Sequence, residues 1–351
     1  MLLPETLKQH DKEKFEFFYI YFLPWKDQMV EPIERAGGKV TCFSASNNLK
    51  LLQQVSKVVM FCREHKIDLI HAHLPWSGFL ARMVHKRTGL PLVYTEHNIQ
   101  EKYHVLTRSL NKWTYNFQSL ALGVSKDVTQ SINKNITPNV PVRTLLNGVN
   151  TATFKRDPAE GELIREKLKI PLDAVVLGNV AVFREQKALP VWLRAFKEID
   201  EKYSEVYGIL VGAGPKEEEV KSLIAKLGLR DKVKLPGLQV DTIGYFSAMD
   251  IFMMSSDFEG LPIALLEGMS TECAVVSTKA GGVVEVIRDE VDGFLSEPGD
   301  WRGLAKKSLH LLENPTELKK FRFASRERVE EKFSLQNMVV QLEKNYLELL
   351  P

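Results

Sequence analysis

The stretch from residue 255 to residue 262, SSDFEGLP, is the densest group of side chains in this chain that could do chemistry. It contains Glu259, and Glu267 follows eight positions later in a segment that is typical of a helix beginning near Pro262. At 1.5 Å per residue, Glu267 would lie about 7–8 Å along that helix. Carboxylates accept hydrogen bonds from hydroxyls, and both could line one cleft at different depths. This pattern favours a site for a sugar nucleotide.

Backbone groups near these carboxylates would add to the same site. The N–H groups at the start of a helix have no partner within it and bind anions. Here they belong to Gly260, Leu261 and Ile263. Gly281 and Gly282 offer a second place where the backbone could approach a ligand closely, because glycine has no Cβ. The spacing of the glutamates alone is weak evidence, since a surface glutamate and a helix glutamate often stand eight positions apart by chance.

Histidines follow two of the predicted strands. His71 and His73 are two positions apart and would therefore share one face of a strand. A metal site would need a third ligand that the sequence does not identify, so a structural role or a place in an acceptor site is the favoured interpretation. His97 also stands at a strand end, where an ordinary core or loop histidine is the alternative to a functional one.

Length and composition exclude several classes of protein. The chain has 351 residues, 44% hydrophobic and 26% charged, which is typical of a soluble globular protein with about two domains. Cys42, Cys62 and Cys273 are widely spaced and form neither a disulfide framework nor a CxxC metal motif. No uncharged apolar run approaches the ~18 residues of a membrane span, and the start lacks a signal-peptide core. We therefore expect a cytoplasmic protein, with the inner face of the membrane as a candidate location.

Charge is distributed unevenly along the chain. Residues 1–150 hold 19 Lys and Arg against 12 Asp and Glu, whereas residues 151–351 hold 28 against 33. A basic half of this kind could contact an anionic membrane, although a solvated surface with uneven lysines is the simpler alternative. Nothing indicates a nucleic-acid partner, because the sequence contains no arginine-rich tract or aromatic ladder.

Short apolar strands alternate with longer amphipathic helices, which predicts an α/β protein with doubly wound parallel sheets. In the first half we expect strands at 15–23, 39–43, 67–72 and 90–95, and helices at 27–36, 51–65 and 78–87. After a polar break at 147–169 we expect strands at 175–180, 207–212, 233–235 and 251–254, and helices at 189–203, 216–227, 262–269 and 336–350. These elements divide into an N-terminal domain at 1–150 and a C-terminal domain at 151–351. Ligands of such sheets bind at the carboxyl ends of the strands.

Taken together, the motifs resemble glycosyltransferase family 4, retaining enzymes of the GT-B fold. FEGLPIALLEGM and GGVVEVIRDEVDGFLSEPGD are similar to that family's nucleotide-sugar site. Further similarities, in order, are IDLIHAHLPWSGFLAR, LVYTEHN, LLNGVNTATF, FREQKALPVWLRAF and LVGAGP. The resemblance covers roughly residues 15–350. It implies two Rossmann-like domains facing a central cleft, with the C-terminal helix packing back on the N-terminal domain.

The resemblance also implies a role for individual residues. Glu267 would bind the ribose hydroxyls, and Glu259, with the amides after it, would hold the donor sugar. His97 would face the sugar and the attacking acceptor from the N-terminal domain, and Lys187 would neutralise the diphosphate. His97, Glu259 and Lys187 form the catalytic set. The donor-binding set is Arg184, Lys187, Gly212, Gly260, Leu261, Pro262, Glu267, Gly281, Gly282 and Glu285.

Two features concern the phosphates. The family usually has an arginine five positions before its lysine, but Val182 stands there in this chain. We expect Arg184 to reach the same phosphate, with a solvent-facing arginine as the alternative. No two aspartates lie two positions apart, so the DxD metal motif of other glycosyltransferases is absent. No metal cofactor is therefore expected, and protein cations would stabilise the departing diphosphate.

The leading hypothesis is a metal-independent, retaining glycosyltransferase that uses a nucleotide-sugar donor and a glycan or lipid-linked acceptor. The start, MLLPETLKQHDKEKF, resembles the end of the family's first helix, so we expect the first strand and its glycine loop to be absent. One alternative is therefore a catalytically impaired nucleotide-sugar-binding protein, and another is a nucleotide-sugar epimerase of the same fold. A dinucleotide dehydrogenase is poorly supported, because the segment GAGP at 212–215 lacks the third glycine of that motif.

Overall fold

Strands and helices alternate along residues 2–350, the part of the chain that the structure, a computed structural model, describes. The strands are β1 (Phe18–Tyr21), β2 (Lys39–Cys42), β3 (Ile70–His73), β4 (Leu92–Glu96), β5 (Leu120–Gly123), β6 (Val142–Thr144), β7 (Val175–Val180), β8 (Val206–Val211), β9 (Val233–Gly237), β10 (Ile251–Met254), β11 (Ala274–Thr278) and β12 (Phe294–Ser296). Every ladder between these strands is parallel.

The helices account for most of the remaining chain. They are α1 (Leu2–Gln9), α2 (Val30–Arg35), α3 (Asn48–Leu52), α4 (Val55–Glu64), α5 (Pro75–Thr88), α6 (Val105–Thr114), α7 (Lys126–Ile136), α8 (Pro158–Lys167), α9 (Leu189–Lys202), α10 (Glu217–Lys226), α11 (Ile243–Ala248), α12 (Ile263–Ser270), α13 (Val283–Val286), α14 (Trp301–Glu313), α15 (Pro315–Lys332) and α16 (Leu335–Leu347). None of the described helices is long and apolar enough to cross a bilayer.

The chain divides into two units. Unit 2 is Val149–Ser334, and unit 1 combines the residues up to Gly148 with those from Leu335 onward. Both are α/β units with parallel sheets, as the sequence predicts.

Unit 2 contains a six-stranded sheet in the order β12-β11-β10-β7-β8-β9. This is the order of a doubly wound Rossmann-like sheet, and the winding direction reverses between β7 and β10. Trp192 on α9 fixes the helical layer to the sheet: its ring stacks on Phe196 at 5.2 Å, and its indole N–H donates to the carbonyl of Met253 at 2.9 Å. The carboxyl ends of β7 and β10 are therefore the place to look for a ligand site.

Unit 1 contains two separate parallel sheets. One has the order β3-β4-β5-β6, and the other consists of β1 and β2. In the described part of the chain α1 precedes β1, and no ladder joins the two sheets.

The last helix, α16, belongs to unit 1, although the sequence division at residue 150 places residues 335–351 with the second domain. Its apolar face packs on strand residues such as Val93 and Leu122 in one buried cluster. The Tyr346 hydroxyl and His71 Nδ1 lie 2.6 Å apart. Burial of this face explains why the helix leaves the unit that precedes it in the chain.

Two predicted segments differ from the structure. The predicted helix at 51–65 is two helices, α3 and α4. The first begins earlier than predicted, at Asn48, because Asn47 caps it by accepting a hydrogen bond from the N–H of Lys50 at 2.9 Å. The polar break at 147–169 contains α8, whose buried residues are Gly161 and Arg165. A helix that buries no large apolar side chain lacks the periodic pattern by which helices are recognised.

The contact between α16 and His71 yields a first prediction. Tyr346→Phe removes the hydroxyl partner of a histidine whose pKa is lowered by burial to about 3 and which therefore stays neutral. We expect the free energy of unfolding to fall by about 1–3 kcal/mol, measured by urea denaturation. Tyr207→Phe is the matched control, because the Tyr207 hydroxyl has no hydrogen-bond partner among the described residues. Equal stabilities for the two variants would show that the contact contributes nothing.

Candidate active site

The loops that leave β7 and β10 lie side by side, because these strands are neighbours at the point where the winding reverses. The N–H of Asp257 donates to the carbonyl of Gln186 at 2.8 Å. The Ser255 hydroxyl donates to the carbonyl of Lys187 at 2.9 Å. Two segments about seventy positions apart in sequence thus form one wall of the site.

An ion pair joins the two loops. Lys187 Nζ lies 2.5 Å from Glu259 Oε1, and the Ser256 hydroxyl donates to the same oxygen at 2.7 Å. The Lys187 side chain is 19% exposed and that of Glu259 is 8% exposed. A charged hydrogen bond in such a shielded place is strong and holds both groups in fixed positions. The structure therefore brings together two of the three residues predicted to be catalytic.

Backbone N–H groups follow Glu259 at the start of α12. Gly260, Leu261 and Pro262 are buried, and α12 begins at Ile263 with Pro262 as its N-cap residue. Among the described residues, the N–H groups of Gly260 and Ile263 donate no hydrogen bond. The helix start adds a partial positive charge to them. This corner of the site can accept an anion or a sugar oxygen.

Glu267 lies further along α12 and is buried, with 7% of its surface exposed. Burial raises the pKa of its carboxyl above the ordinary value, because a low-dielectric surrounding disfavours the charged form. The fold thus keeps a carboxylate in the interior at the cost of some stability, which is typical of a group retained for binding or catalysis.

The glycine pair lies next to Glu259. The N–H of Gly282 is 3.4 Å from the Glu259 carbonyl, and Gly281 has a positive φ of 54°. Glu285 follows on α13 and is half-buried, with its carbonyl accepting a hydrogen bond from Arg328 at 3.1 Å.

Gly212, at the end of β8, is fixed by the space around it. Its φ is +132°, and a Cβ built there would lie 1.9 Å from the carbonyl oxygen of Ala181. Only glycine lets the chain after β8 come this close to the chain after β7.

Arg184 lies at the rim of the site. It is exposed, forms no ion pair with any described residue, and lines a surface pocket of about 220 Å³ together with Asp257 and Lys216. Lys216 is paired with Glu185 at 2.5 Å and with Glu219 at 2.8 Å, so among the described residues that line this pocket Arg184 is the cation without an ion pair. Val182, the position where the family usually has arginine, is 45% exposed. That Arg184 reaches a phosphate stays a prediction.

His97 lies in unit 1, directly after β4. Burial lowers its pKa to about 4, so the imidazole is neutral at physiological pH. Its Nε2 is 3.1 Å from Nδ1 of His73, whose pKa burial also lowers. The His71 and His73 rings are 4.2 Å apart, and His71 Nε2 is 2.7 Å from the Thr95 hydroxyl. Despite these neighbours, no group of three or more His, Cys, Asp or Glu residues in the described chain has an arrangement that could hold a metal ion.

Two residues that support the site were not singled out from the sequence. Ser256 holds Glu259, and its only signal is its place three residues earlier in the same motif. Glu96 is fully buried and accepts hydrogen bonds from the N–H of His97 at 3.0 Å, from Gln100 at 2.7 Å and from Tyr103 at 2.5 Å. Although these bonds favour the carboxylate, burial raises the pKa of Glu96. This residue anchors the chain that follows β4 and so positions His97.

Glu267 generates a second prediction. Its pKa is higher in the folded than in the unfolded chain, so between the two values the unfolded chain binds fewer protons and the free energy of unfolding falls as pH rises. Glu267→Gln removes this cost, and we expect it to stabilise the chain at neutral pH by on the order of 1 kcal/mol. The gain should disappear below about pH 4, where the carboxyl is protonated in both states.

Thermal unfolding across the pH range measures this difference. Glu313→Gln is the control, because Glu313 lies exposed on α14 of the same unit. A Glu267→Gln variant that is no more stable than this control at neutral pH would contradict the prediction.

Comparison with known proteins places this geometry in a family. The model for "Glycosyl transferases group 1" matches residues 160–328, and the model for "Glycosyltransferase Family 4" matches residues 11–153. The N-acetyl-alpha-D-glucosaminyl L-malate synthase of Bacillus anthracis is 26% identical over 312 residues, which are 85% of this chain and 79% of the relative. The lipopolysaccharide core biosynthesis glycosyltransferase LpsD of Rhizobium meliloti is 32% identical over 164 residues, 47% of each chain.

Solved structures agree on the fold. The Anabaena protein HepE, crystallised with UDP and glucose, superposes with a TM-score of 0.86 at 21% identity, covering 99% of this chain and 95% of that one. The fold is thus GT-B. Because the two family models together match residues 11–153 and 160–328, this chain belongs to glycosyltransferase family 4.

Proposed function

We propose that this chain is a retaining glycosyltransferase that moves a sugar from a nucleoside diphosphate to an acceptor hydroxyl, with protein groups rather than a metal ion stabilising the leaving diphosphate. The observation that carries the proposal is the Lys187–Glu259 pair at the carboxyl ends of β7 and β10, next to the backbone N–H groups of Gly260 and Ile263. The cation and the backbone N–H groups suit the negative charges of a diphosphate. The carboxylate suits the hydroxyl groups of a sugar.

The main charge that the site has to stabilise during the reaction develops on the leaving diphosphate. When the glycosidic bond to the β-phosphate breaks, negative charge develops on the phosphate oxygens, and a fixed cation with helix-end amides stabilises it. Lys187 is held by Glu259, so little reorganisation would be needed as that charge appears. Arg184 is the second candidate cation. The absence of a DxD motif supports assigning this role to the protein.

The carboxylates would bind hydroxyl groups. Glu267 in the interior can accept hydrogen bonds from both ribose hydroxyls, and hydrogen bonds to a charged group are stronger than those between neutral groups. Glu259 and the amides after it would hold the donor sugar. Gly281, Gly282 and Glu285 would complete this side of the donor site.

His97 would act from unit 1. A neutral imidazole can donate one hydrogen bond and accept another. Since Nε2 already faces His73, Nδ1 is the atom available to a sugar or acceptor hydroxyl.

The donor and acceptor classes are proposed from the relatives. HepE was crystallised with UDP and glucose, which supports a uridine diphosphate sugar as the first donor to test. LpsD is named for lipopolysaccharide core biosynthesis, which supports a glycan or lipid-linked acceptor. An acceptor of this kind would place the reaction in the cytoplasm at the inner face of the membrane.

Nucleotide binding gives a third prediction. Glu267→Ala should weaken binding of UDP by about 10- to 100-fold, because two ribose hydroxyls lose a charged acceptor worth about 1.5–3 kcal/mol. Isothermal titration calorimetry measures the change, with Glu313→Ala as the surface control. If Glu267→Ala binds UDP as tightly as the control, Glu267 does not contact the nucleotide.

Turnover gives a fourth prediction. Lys187→Ala should lower kcat by about 10²–10³, the typical cost of losing one group that stabilises developing charge, and should lower it more than Glu285→Ala does. The reverse order would show that Lys187 is not the diphosphate cation.

The decisive experiment on the proposed function is product analysis. The chain is incubated with a panel of nucleotide sugars and acceptors, with and without EDTA, and the new linkage is examined by NMR coupling constants. We expect transfer that survives EDTA and keeps the donor's anomeric configuration. An inverted linkage, activity that returns only with Mg²⁺ or Mn²⁺, or an epimerised donor formed without acceptor would each overturn the proposal.

A further inference from the structure

Helix α6 presents its polar side to the protein and its apolar side to solvent. Asn111 is the buried residue of the helix. Its side chain accepts a hydrogen bond from Arg82 at 3.0 Å and donates one to Gln100 at 3.1 Å. Thr114 accepts a further bond from Arg82 at 2.9 Å. The helix is therefore held to unit 1 by polar contacts, which is the reverse of an ordinary amphipathic helix.

The opposite side of α6 is apolar and exposed. Val105 is 76% exposed, Leu106 54% and Trp113 74%. At 100° per residue, these three positions fall within about 100° of one another around the helix axis. Single exposed apolar residues are common, but these three form an apolar stripe, interrupted by Ser109, that includes a tryptophan and indicates a surface that meets an apolar partner.

Two cations border this apolar stripe. Arg108 and Lys112 are one helical turn apart and are both exposed, on the side of the helix next to Val105. Neither forms an ion pair with any residue that the structure describes. The stretch of sequence that contains α6, residues 1–150, has seven more cations than anions.

We propose that the apolar stripe of α6 docks on an anionic lipid bilayer, which deepens the proposed function and rests on its lipid-linked acceptor. Leu106 and Trp113 enter the interfacial region, where the amphipathic indole ring is favoured. Arg108 and Lys112 lie at the level of the lipid phosphates.

The charges decide between a membrane and a second copy of the chain. A twofold dimer through α6 would bring the same two cations of each copy to one interface with no carboxylate to neutralise them, and like charges in an interface are costly. In an anionic bilayer the head groups neutralise the two cations, and the acyl chains below them bury the apolar stripe. The attachment is peripheral and reversible, because one short helix supplies few apolar contacts.

Vesicle co-sedimentation of the full chain tests the proposal. The chain is mixed with vesicles of phosphatidylcholine alone or with added phosphatidylglycerol. We expect binding to the anionic vesicles only, decreasing as salt rises. Trp113→Ala should weaken the partition coefficient several-fold, and the double variant R108E/K112E should weaken it by at least about tenfold.

Matched controls distinguish docking by α6 from two general effects, the change in net charge and the loss of an exposed tryptophan. Trp25→Ala removes another exposed tryptophan, 57% exposed, from unit 1. The double variant K50E/K57E changes the net charge as R108E/K112E does, at exposed positions on α3 and α4. Both controls should bind vesicles as the unaltered chain does. Equal effects of the α6 variants and their controls, or a dimer that only Trp113→Ala dissociates in analytical ultracentrifugation, would overturn the proposal.

Affinity for UDP keeps this test independent of the proposed function. The α6 variants should bind UDP as the unaltered chain does, which also shows that they are folded. If the chain binds no nucleotide sugar but binds anionic vesicles through α6, the proposed function fails and the docking surface stands. If it transfers sugar but ignores vesicles, the reverse holds.

Discussion

A parallel sheet has to be covered by helices on both faces, and this requirement decides where polar chemistry can lie in the chain. In β7 and β10 the strand residues are buried or nearly so. The first polar side chains able to face a ligand come only where the strands end. At the reversal between these two strands the ends are adjacent, and the Lys187–Glu259 pair bridges them. The candidate site is thus a consequence of strand order, and the buried sheet supplies the rigid base on which the pair is held.

For the same reason the sequence predicts four of the six strands of unit 2, whereas β11 and β12 lie outside the predicted segments. The predicted strands at 175–180 and 251–254 have the bounds of β7 and β10, because continuous apolar runs of that length are typical of fully buried parallel strands. Helix α8 was not predicted, since Arg165 replaces an apolar anchor with hydrogen bonds to carbonyl groups, among them that of Ala248 at 2.9 Å. Such contacts depend on distant backbone and leave no periodic pattern.

The sequence predicts which residues are candidates for the site, but it does not predict which of them contact one another. Motifs and a family resemblance identified Lys187, Glu259 and Glu267 as site residues, whose roles remain proposals. That the first two share a 2.5 Å contact across 72 positions follows only from the sheet order. The contact between His73 and His97 likewise joins two strand ends that are neighbours in space. Local sequence specifies an element and its residue types, whereas the partner of a buried polar group is chosen by topology.

The division of the chain has a consequence for its synthesis. Unit 1 is discontinuous, since its last helix, α16, follows the whole of unit 2, residues 149–334. At typical translation speeds of about 5–20 residues per second, the ribosome needs roughly 10–40 s to make that intervening stretch. During this time the sheet of β4 and β5 has been made while the helix that covers Val93 and Leu122 has not. Unit 2 can complete its fold as a continuous segment, whereas the apolar surface of unit 1 stays open to chaperones until α16 has been made.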